Sequence, residues 1–346
     1  MVNPRCDTDQ MRSALFVPLR TAIAVVAIVL FVAGGALFVG SALASSRAIV
    51  DLTVPTIGAA KVVDQNDVAA PTILTVGSTY YLFGTTDWQS NVPAATSTDL
   101  LHWQDAPDAL PVLPSWAAPS ISMTWAPTVI AVGGRYVMYV TTEEQASGRQ
   151  CIAAATSTAP GGPYADRTTE PFLCQRSLGG SIDPDAVTDS RGGLHLVWKS
   201  NGNCCGLPTS IWEQDLSPDG LHLAGAAHRL LGADQPWEAG NVEGPDLVPA
   251  ANGWWLFYSG GDWRTASYAT GVAWCPTITG PCRDVLTRPL LPSTPTMRTP
   301  SGLSTFVDAH GRQWAAFTTT VVIPSRFRPG RFYDNRVLDV APLITR

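Results

Sequence analysis

The chain has 346 residues, enough for one large β domain or two ordinary ones, and it is 45% hydrophobic but only 14% charged, so a sizeable core is within reach. A formal net charge of −6, with no cluster of Lys or Arg among aromatics, argues against nucleic acid as a partner. Twelve Trp and thirty Gly beside five Met point to aromatic strands joined by turns.

The N-terminus, residues 1–44, reads as a signal peptide or membrane anchor. Arg5, Arg12 and Arg20 precede an uncharged run over residues 21–44 that ends in Ala42-Leu43-Ala44, a small-x-small cleavage pattern. The run is also long enough to span a bilayer, so it is either removed after Ala44 or kept as an anchor with the arginines inside. Either outcome places the rest at the cell surface or outside the cell. Cys6 stays behind, and the six remaining cysteines are an even number that reads as disulfides in an oxidising compartment. Cys151–Cys174 and Cys275–Cys282 are the local pairings, which leaves the adjacent Cys204 and Cys205. Zinc on these thiols lacks nearby histidines, and no metal or other cofactor is expected.

Residues 45–61 read as a linker into the folded domain, 62–346. From there the sequence repeats. Ala70-Pro-Thr-Ile-Leu-Thr-Val-Gly-Ser-Thr-Tyr-Tyr81 onward is echoed from Ala126, from Ile182-Asp183-Pro184-Asp185, from Val242-Glu243-Gly244-Pro245 and from Gly302. Pro71, Pro127, Pro184 and Pro245 stand 56, 57 and 61 residues apart, and Ser304 follows Pro245 by 59. Units of this length cannot each bury their own hydrophobic face. Each also carries a second half of small-residue strands, such as Ile152–Ser157 and Gly271–Trp274, and no long amphipathic helix period follows residue 50. The fold class predicted is all-β: a monomeric five-bladed β-propeller, each blade a four-stranded antiparallel sheet, with Arg336–Val340 closing the fifth.

In a propeller, matched positions of the repeats converge on the axis although they lie far apart in sequence. Just before the turn the units carry Ala70, Ala126, Asp183, Glu243 (one residue before Gly-Pro) and the Gly302/Leu303 pair. An Asp before Pro is a common turn former, and turn chemistry explains a lone one. Two acids on the phase of the repeat favour a site, because paired carboxylates are the equipment for splitting a glycosidic bond.

The ordered set Trp125-Ala126-Pro127, Ile182-Asp183-Pro184-Asp185 with Asp189-Ser190-Arg191-Gly192-Gly193, and Val242-Glu243-Gly244-Pro245 resembles glycoside hydrolase family 43 across residues 62–345. The resemblance implies a five-bladed propeller that inverts arabinofuranosyl or xylosyl linkages in oligo- or polysaccharides. It further implies Glu243 as the general acid, Asp183 as the acid that raises and orients it, and Trp125 as a sugar-stacking aromatic. The chain departs from that pattern at two places. Ala70 replaces the Asp that serves as general base, leaving Asp67 as the candidate, with Asp64 nearby and Asp87 more distant. Leu303 replaces a blade-five His associated with an ion or water in the channel, so no bound calcium is expected. The alternative is a carbohydrate-binding propeller whose catalysis is impaired.

The other aromatics divide by position. Trp254 and Trp255 alternate on a strand, so one should pack between blades and the other face solvent. Trp263 lies in a loop, a better place for stacking on sugar. His102 and His195 sit in strand patterns and read as structural.

Overall fold

A computed structural model describes residues 53–345 apart from 65, 88, 120–122 and 325–331. Residues 1–44, read above as a signal peptide or membrane anchor, lie outside the described residues. Among the described residues no helix is long and apolar enough to cross a membrane.

Five antiparallel sheets make five blades. Blade I is β3 (Thr72–Val76), β4 (Thr79–Phe83), β5 (Ala94–Ser97) and β6 (Gln104–Ala106). Blade II is β7 (Trp125–Val132), β8 (Arg135–Glu144) and β9 (Arg149–Ser157). Blade III is β10 (Ser181–Thr188), β11 (Leu194–Ser200), β12 (Ser210–Leu216) and β13 (Leu223–Gly232). Blade IV is β14 (Val242–Ala250), β15 (Gly253–Gly260), β16 (Ala269–Cys275) and β17 (Arg283–Asp284). Blade V is β18 (Arg298–Val307), β19 (Gln313–Pro324) and β20 (Phe332–Ile344), with the N-terminal β1 (Thr56–Ile57) and β2 (Lys61–Asp64) added outside β20.

The ring closes in two ways. The leading strands touch in the cycle β3, β7, β10, β14, β18 and back to β3, so they line one axis. At the rim the chain's own start clasps its end, with Thr56 opposite Ile344 and Lys61 opposite Val340. The Arg336–Val340 segment is therefore the third strand of blade V, and the outermost position falls to β1 and β2. Blade II also differs from the four-stranded expectation: among the described residues it has three strands, and isolated Thr156–Ala165 and Ile152–Leu173 bridges on β9 stand where a fourth would pair.

Each blade buries both faces, because strand alternation sends successive side chains to opposite neighbours. On β11, Leu196 and Trp198 join a cluster with Tyr139 and Ile152 of blade II, while Val197 joins Val242 and Leu256 of blade IV. Similar clusters fill the I/II and V/I junctions. Trp255 is buried edge-on to Trp274, and Trp254 packs half-buried against the III/IV cluster instead of facing solvent. Cys151–Cys174, Cys204–Cys205 and Cys275–Cys282 are bonded.

Candidate functional site

A ring of left-handed residues builds the mouth of the axis. Ala70, Ala126, Asp183, Gly244 and Gly302 have φ of 44°, 45°, 53°, 54° and 57°, one per blade. In blades II to V it interrupts the leading strand with a bulge, and in blade I Ala70 stands just ahead of β3. The crowding is real: a Cβ on Gly302 would sit 3.0 Å from the Ala70 Cα. The structurally matched residue of blade IV is thus Gly244, not Glu243. Glu243 lies one position ahead, in phase with Trp125, Ile182 and Ser301.

Neighbouring blades are stitched together at this ring. In four of five junctions a hydroxyl on the second strand of one blade, or just past its end at Thr85, accepts the N–H of the left-handed residue of the next. Ala126 N donates to Thr85 Oγ1 (3.1 Å), Asp183 N to Thr141 Oγ1 (3.0 Å), Gly302 N to Ser259 Oγ (2.9 Å) and Ala70 N to Thr318 Oγ1 (3.1 Å). The register puts Lys199 at the equivalent place in blade III, opposite Ile182 as Thr141 is opposite Trp125. A lysine has no acceptor. The Gly244 N–H donates instead to Asp183 Oδ2 at 3.0 Å, and Lys199 Nζ turns to Glu243 Oε2 at 2.5 Å.

One substitution in the repeat therefore gathers three charges at the III/IV junction. Lys199 is fully buried and Glu243 is 7% exposed. Burial pushes Glu243 up, but the Lys199 charge and hydrogen bonds from Lys199, Tyr268 and Asn241 outweigh it, and its carboxyl is held below the usual value. Asp183 moves the other way. Burial and the Glu243 charge raise it to about 6, against the opposing pull of Lys199 and the Gly244 N–H. The two carboxyls titrate as a unit, with the proton favoured on Asp183.

Below them a second acid pair, half-buried Asp185 and buried Asp246, lines the axis. Asp185 Oδ2 accepts the Leu247 N–H at 3.0 Å, and Asp246 accepts the N–H and hydroxyl of Thr305 at 2.7 and 2.9 Å. Burial lifts Asp185 to about 6, and burial with the Asp185 charge lifts Asp246 well above its usual value. A cavity of about 250 Å³ adjoins this pair, below the Asp183–Glu243 mouth.

The structure thus brings together Asp183 and Glu243. It engages Asp67 elsewhere: both carboxylate oxygens take the Arg336 guanidinium, Nε at 2.6 Å and Nη2 at 2.7 Å. Asp87 Oδ1 caps its own loop through the N–H groups of Gln89 and Ser90, and Asp64 receives the Asn66 N–H. Trp125 is half-buried at the mouth of blade II, and Trp263 is 65% exposed in the loop after β15. His195 lies within β11, whereas His102 belongs to an exposed bend and pairs with Asp99. Sequence reasoning followed the acids and missed Lys199, Tyr268 and Asn241. For Lys199 a signal existed, since Thr85, Thr141, Ser259 and Thr318 hold its place in the other units.

Residues 59–336 match the family described as glycosyl hydrolases family 43. The chain belongs to that family. The extracellular endo-α-(1→5)-L-arabinanase of Thermotoga petrophila is 31% identical over 253 residues, covering 62% of this chain and 50% of that protein. The chain thus spans half the length of that arabinanase. The fold is also that of a thermostable family-43 glycoside hydrolase, with a TM-score of 0.69, 22% identity, and 85% of this chain and 91% of that one covered. The endo-arabinase of Bacteroides thetaiotaomicron gives 0.66 at 19% identity, covering 85% and 98%. Within family 43, this chain sets its paired acids at the junction where Lys199 breaks the hydroxyl ring.

Proposed function

We propose that the protein is an exported glycosidase acting on arabinosyl or xylosyl linkages, with α-1,5-linked arabinan the first substrate to test. The observation that carries this reading is the convergence of Asp183 and Glu243 across the III/IV junction, joined by the Gly244 N–H. Glu243 protonates the leaving oxygen, and Asp183 is the neighbouring carboxyl that holds the proton of the pair. At rest Lys199 keeps Glu243 ionised, so binding must deliver the proton. A sugar ring over Glu243 excludes water and penalises its charge, which favours passing the proton of the pair from Asp183 to Glu243. Trp125 and Trp263 supply apolar faces for sugar. Asp67 is the acid assigned to activate water, and to do so it must release Arg336. Export is consistent with the three disulfides and with the extracellular arabinanase that the chain resembles. The protein acts as a monomer.

A second reading, a sugar-binding propeller without turnover, is favoured by Ala70 in the base position and by the Asp67–Arg336 pair. Reducing ends released from linear arabinan and xylan, with affinity measured calorimetrically, separate the two. Under the enzymatic reading Glu243→Gln loses about 10²–10⁴-fold in turnover with affinity nearly intact. Asp67→Asn has a comparable effect if Asp67 is the base and little if it only clasps Arg336. Binding without turnover in the native protein establishes the second reading, and absence of both removes the sugar readings.

A further inference from the structure

At the other end of β11 from Lys199, blade III holds a second cluster that the glycosidase reading does not use. His195 pairs directly opposite Asp215 on β12, and the two-residue period of that strand puts Glu213 on the same face. His195 Nδ1 lies 2.8 Å from Glu213 Oε1 and 3.0 Å from Asp215 Oδ1. On the other side of the ring, Nε2 faces Asp189 Oδ2 at 3.8 Å. Asp189 is otherwise occupied by its own turn, accepting the N–H groups of Arg191 and Gly193 and the Arg191 guanidinium.

Two observations say that the cluster is incomplete as a set of hydrogen bonds. A single Nδ1–H cannot satisfy two carboxylates at once. Glu213 is fully buried, yet its Oε2 has no hydrogen-bond partner among the described residues, and neither does the buried His195 Nε2. An ionised carboxylate oxygen left bare in the interior is costly, and the usual remedies are a cation or a bound metal.

We propose that His195, Glu213 and Asp215 form a binding site for one divalent cation of the zinc type. One imidazole nitrogen with two carboxylate oxygens suits zinc better than calcium or magnesium, which take oxygen alone. A tetrahedral site with bonds of about 2.0–2.1 Å sets its ligands roughly 3.3 Å apart. Nδ1 is 2.8 and 3.0 Å from the two oxygens, so small side-chain rotations open the space. Asp189 beyond Nε2 is where a carboxylate commonly takes the outward N–H of a metal-bound histidine and fixes its tautomer. The Asp215 side chain is 56% exposed, which gives the ion a way in and leaves a water-accessible position. The site would tie β11 to β12 at the end of blade III away from the paired acids, a structural role.

The test uses the whole protein treated with a chelator and then titrated with Zn²⁺ alone, followed by calorimetry and thermal melting. One equivalent should bind and raise Tm, with Ca²⁺ having no effect. Asp215→Asn, a change at a half-exposed side chain, should weaken Zn²⁺ binding at least tenfold while leaving the melt of the metal-free protein nearly unchanged. Glu213→Gln should abolish the metal-induced shift. Absence of stoichiometric binding overturns the proposal, as does Zn²⁺ binding that survives both substitutions, since it would then lie at another histidine. An equal or larger response to Ca²⁺ overturns the assignment of ion type.

Discussion

Lys199 Nζ stands 2.5 Å from Glu243 Oε2, fully buried, at the strand position where the other four blades carry Thr or Ser. The pair has a direction. Glu243 sits below its usual value, so the pair stabilises the fold above the unfolded carboxyl value of about 4.3, and that contribution fades as pH falls through the lowered folded value.

Lys199→Thr replaces the ammonium by the hydroxyl of the other junctions, which can accept the Gly244 N–H. Glu243 then loses its cation, and its pKa rises. The alkaline limb of any hydrolytic activity should move upward, because the proton donor keeps its proton to higher pH. Breaking a buried pair by removing one partner costs about 3–5 kcal/mol where the other stays charged. Urea denaturation should therefore show a loss of that order near pH 8 and a smaller one near pH 5, where Glu243 can take up a proton. Equal losses at both values would mean that Lys199 acts only as packing.

Ala70 offers a test of whether water activation is missing. It already holds the left-handed backbone, φ 44°, that Asp183 adopts at φ 53° in blade III. Asp enters that region more readily than Ala, so Ala70→Asp adds a carboxylate without adding backbone strain. General-base catalysis contributes about 10²–10⁴-fold, so a chain lacking its base should gain at least about 10-fold in turnover on arabinan. No gain, together with loss of activity in Asp67→Asn, would assign the base to Asp67.

The five-fold organisation was legible because every blade reuses one hairpin, with Pro near its bend and small polar residues at its exit. Disulfide pairing was legible for a different reason: six cysteines fell into three close pairs. The one-residue offset of Glu243 before Gly244-Pro245 was visible too, but its consequence was not, since only the backbone shows Gly244 in the left-handed position that Asp183 holds in blade III. The clasp of β1 and β2 on β20 joins the two ends of the domain, and no local pattern specifies such a pairing. His195 reads as structural when taken alone. Its carboxylate partners are on the next strand, brought opposite by a register that the sequence does not display.

Trp263 is 65% exposed in the loop that follows β15, and Asp262 beside it is held by Arg264 at 2.8 Å. Trp263→Ala removes no core packing, so Tm should move by less than about 1 °C, as for most surface changes. If the indole stacks on sugar, affinity for arabinan oligosaccharides should fall several-fold, in line with about 0.5–1.5 kcal/mol for an aromatic contact. Unchanged affinity would remove Trp263 from the binding surface.

The Asp185–Asp246 pair gives the fold its own pH response. Burial, with the charge of Asp185 added for Asp246, raises both folded values above the unfolded Asp value of about 3.9, Asp185 to about 6. The folded state therefore binds more protons than the unfolded state between about pH 4 and pH 6, and stability falls as pH rises across that window. Moving one carboxyl across that window, at about 1.36 kcal/mol per pH unit, amounts to roughly 2–3 kcal/mol. Asp185→Asn keeps an oxygen for the Leu247 N–H and removes the charge. Its unfolding free energy should match the native protein near pH 4 and exceed it by roughly 2 kcal/mol near pH 8, a substitution that also lets Asp246 ionise more easily. Asp183 and Asp284 are raised as well, to about 6 and about 7, so the native curve alone cannot assign the slope. The difference between native and Asp185→Asn curves isolates the axial pair, and a difference that does not change with pH would show that Asp185 is not protonated in the fold.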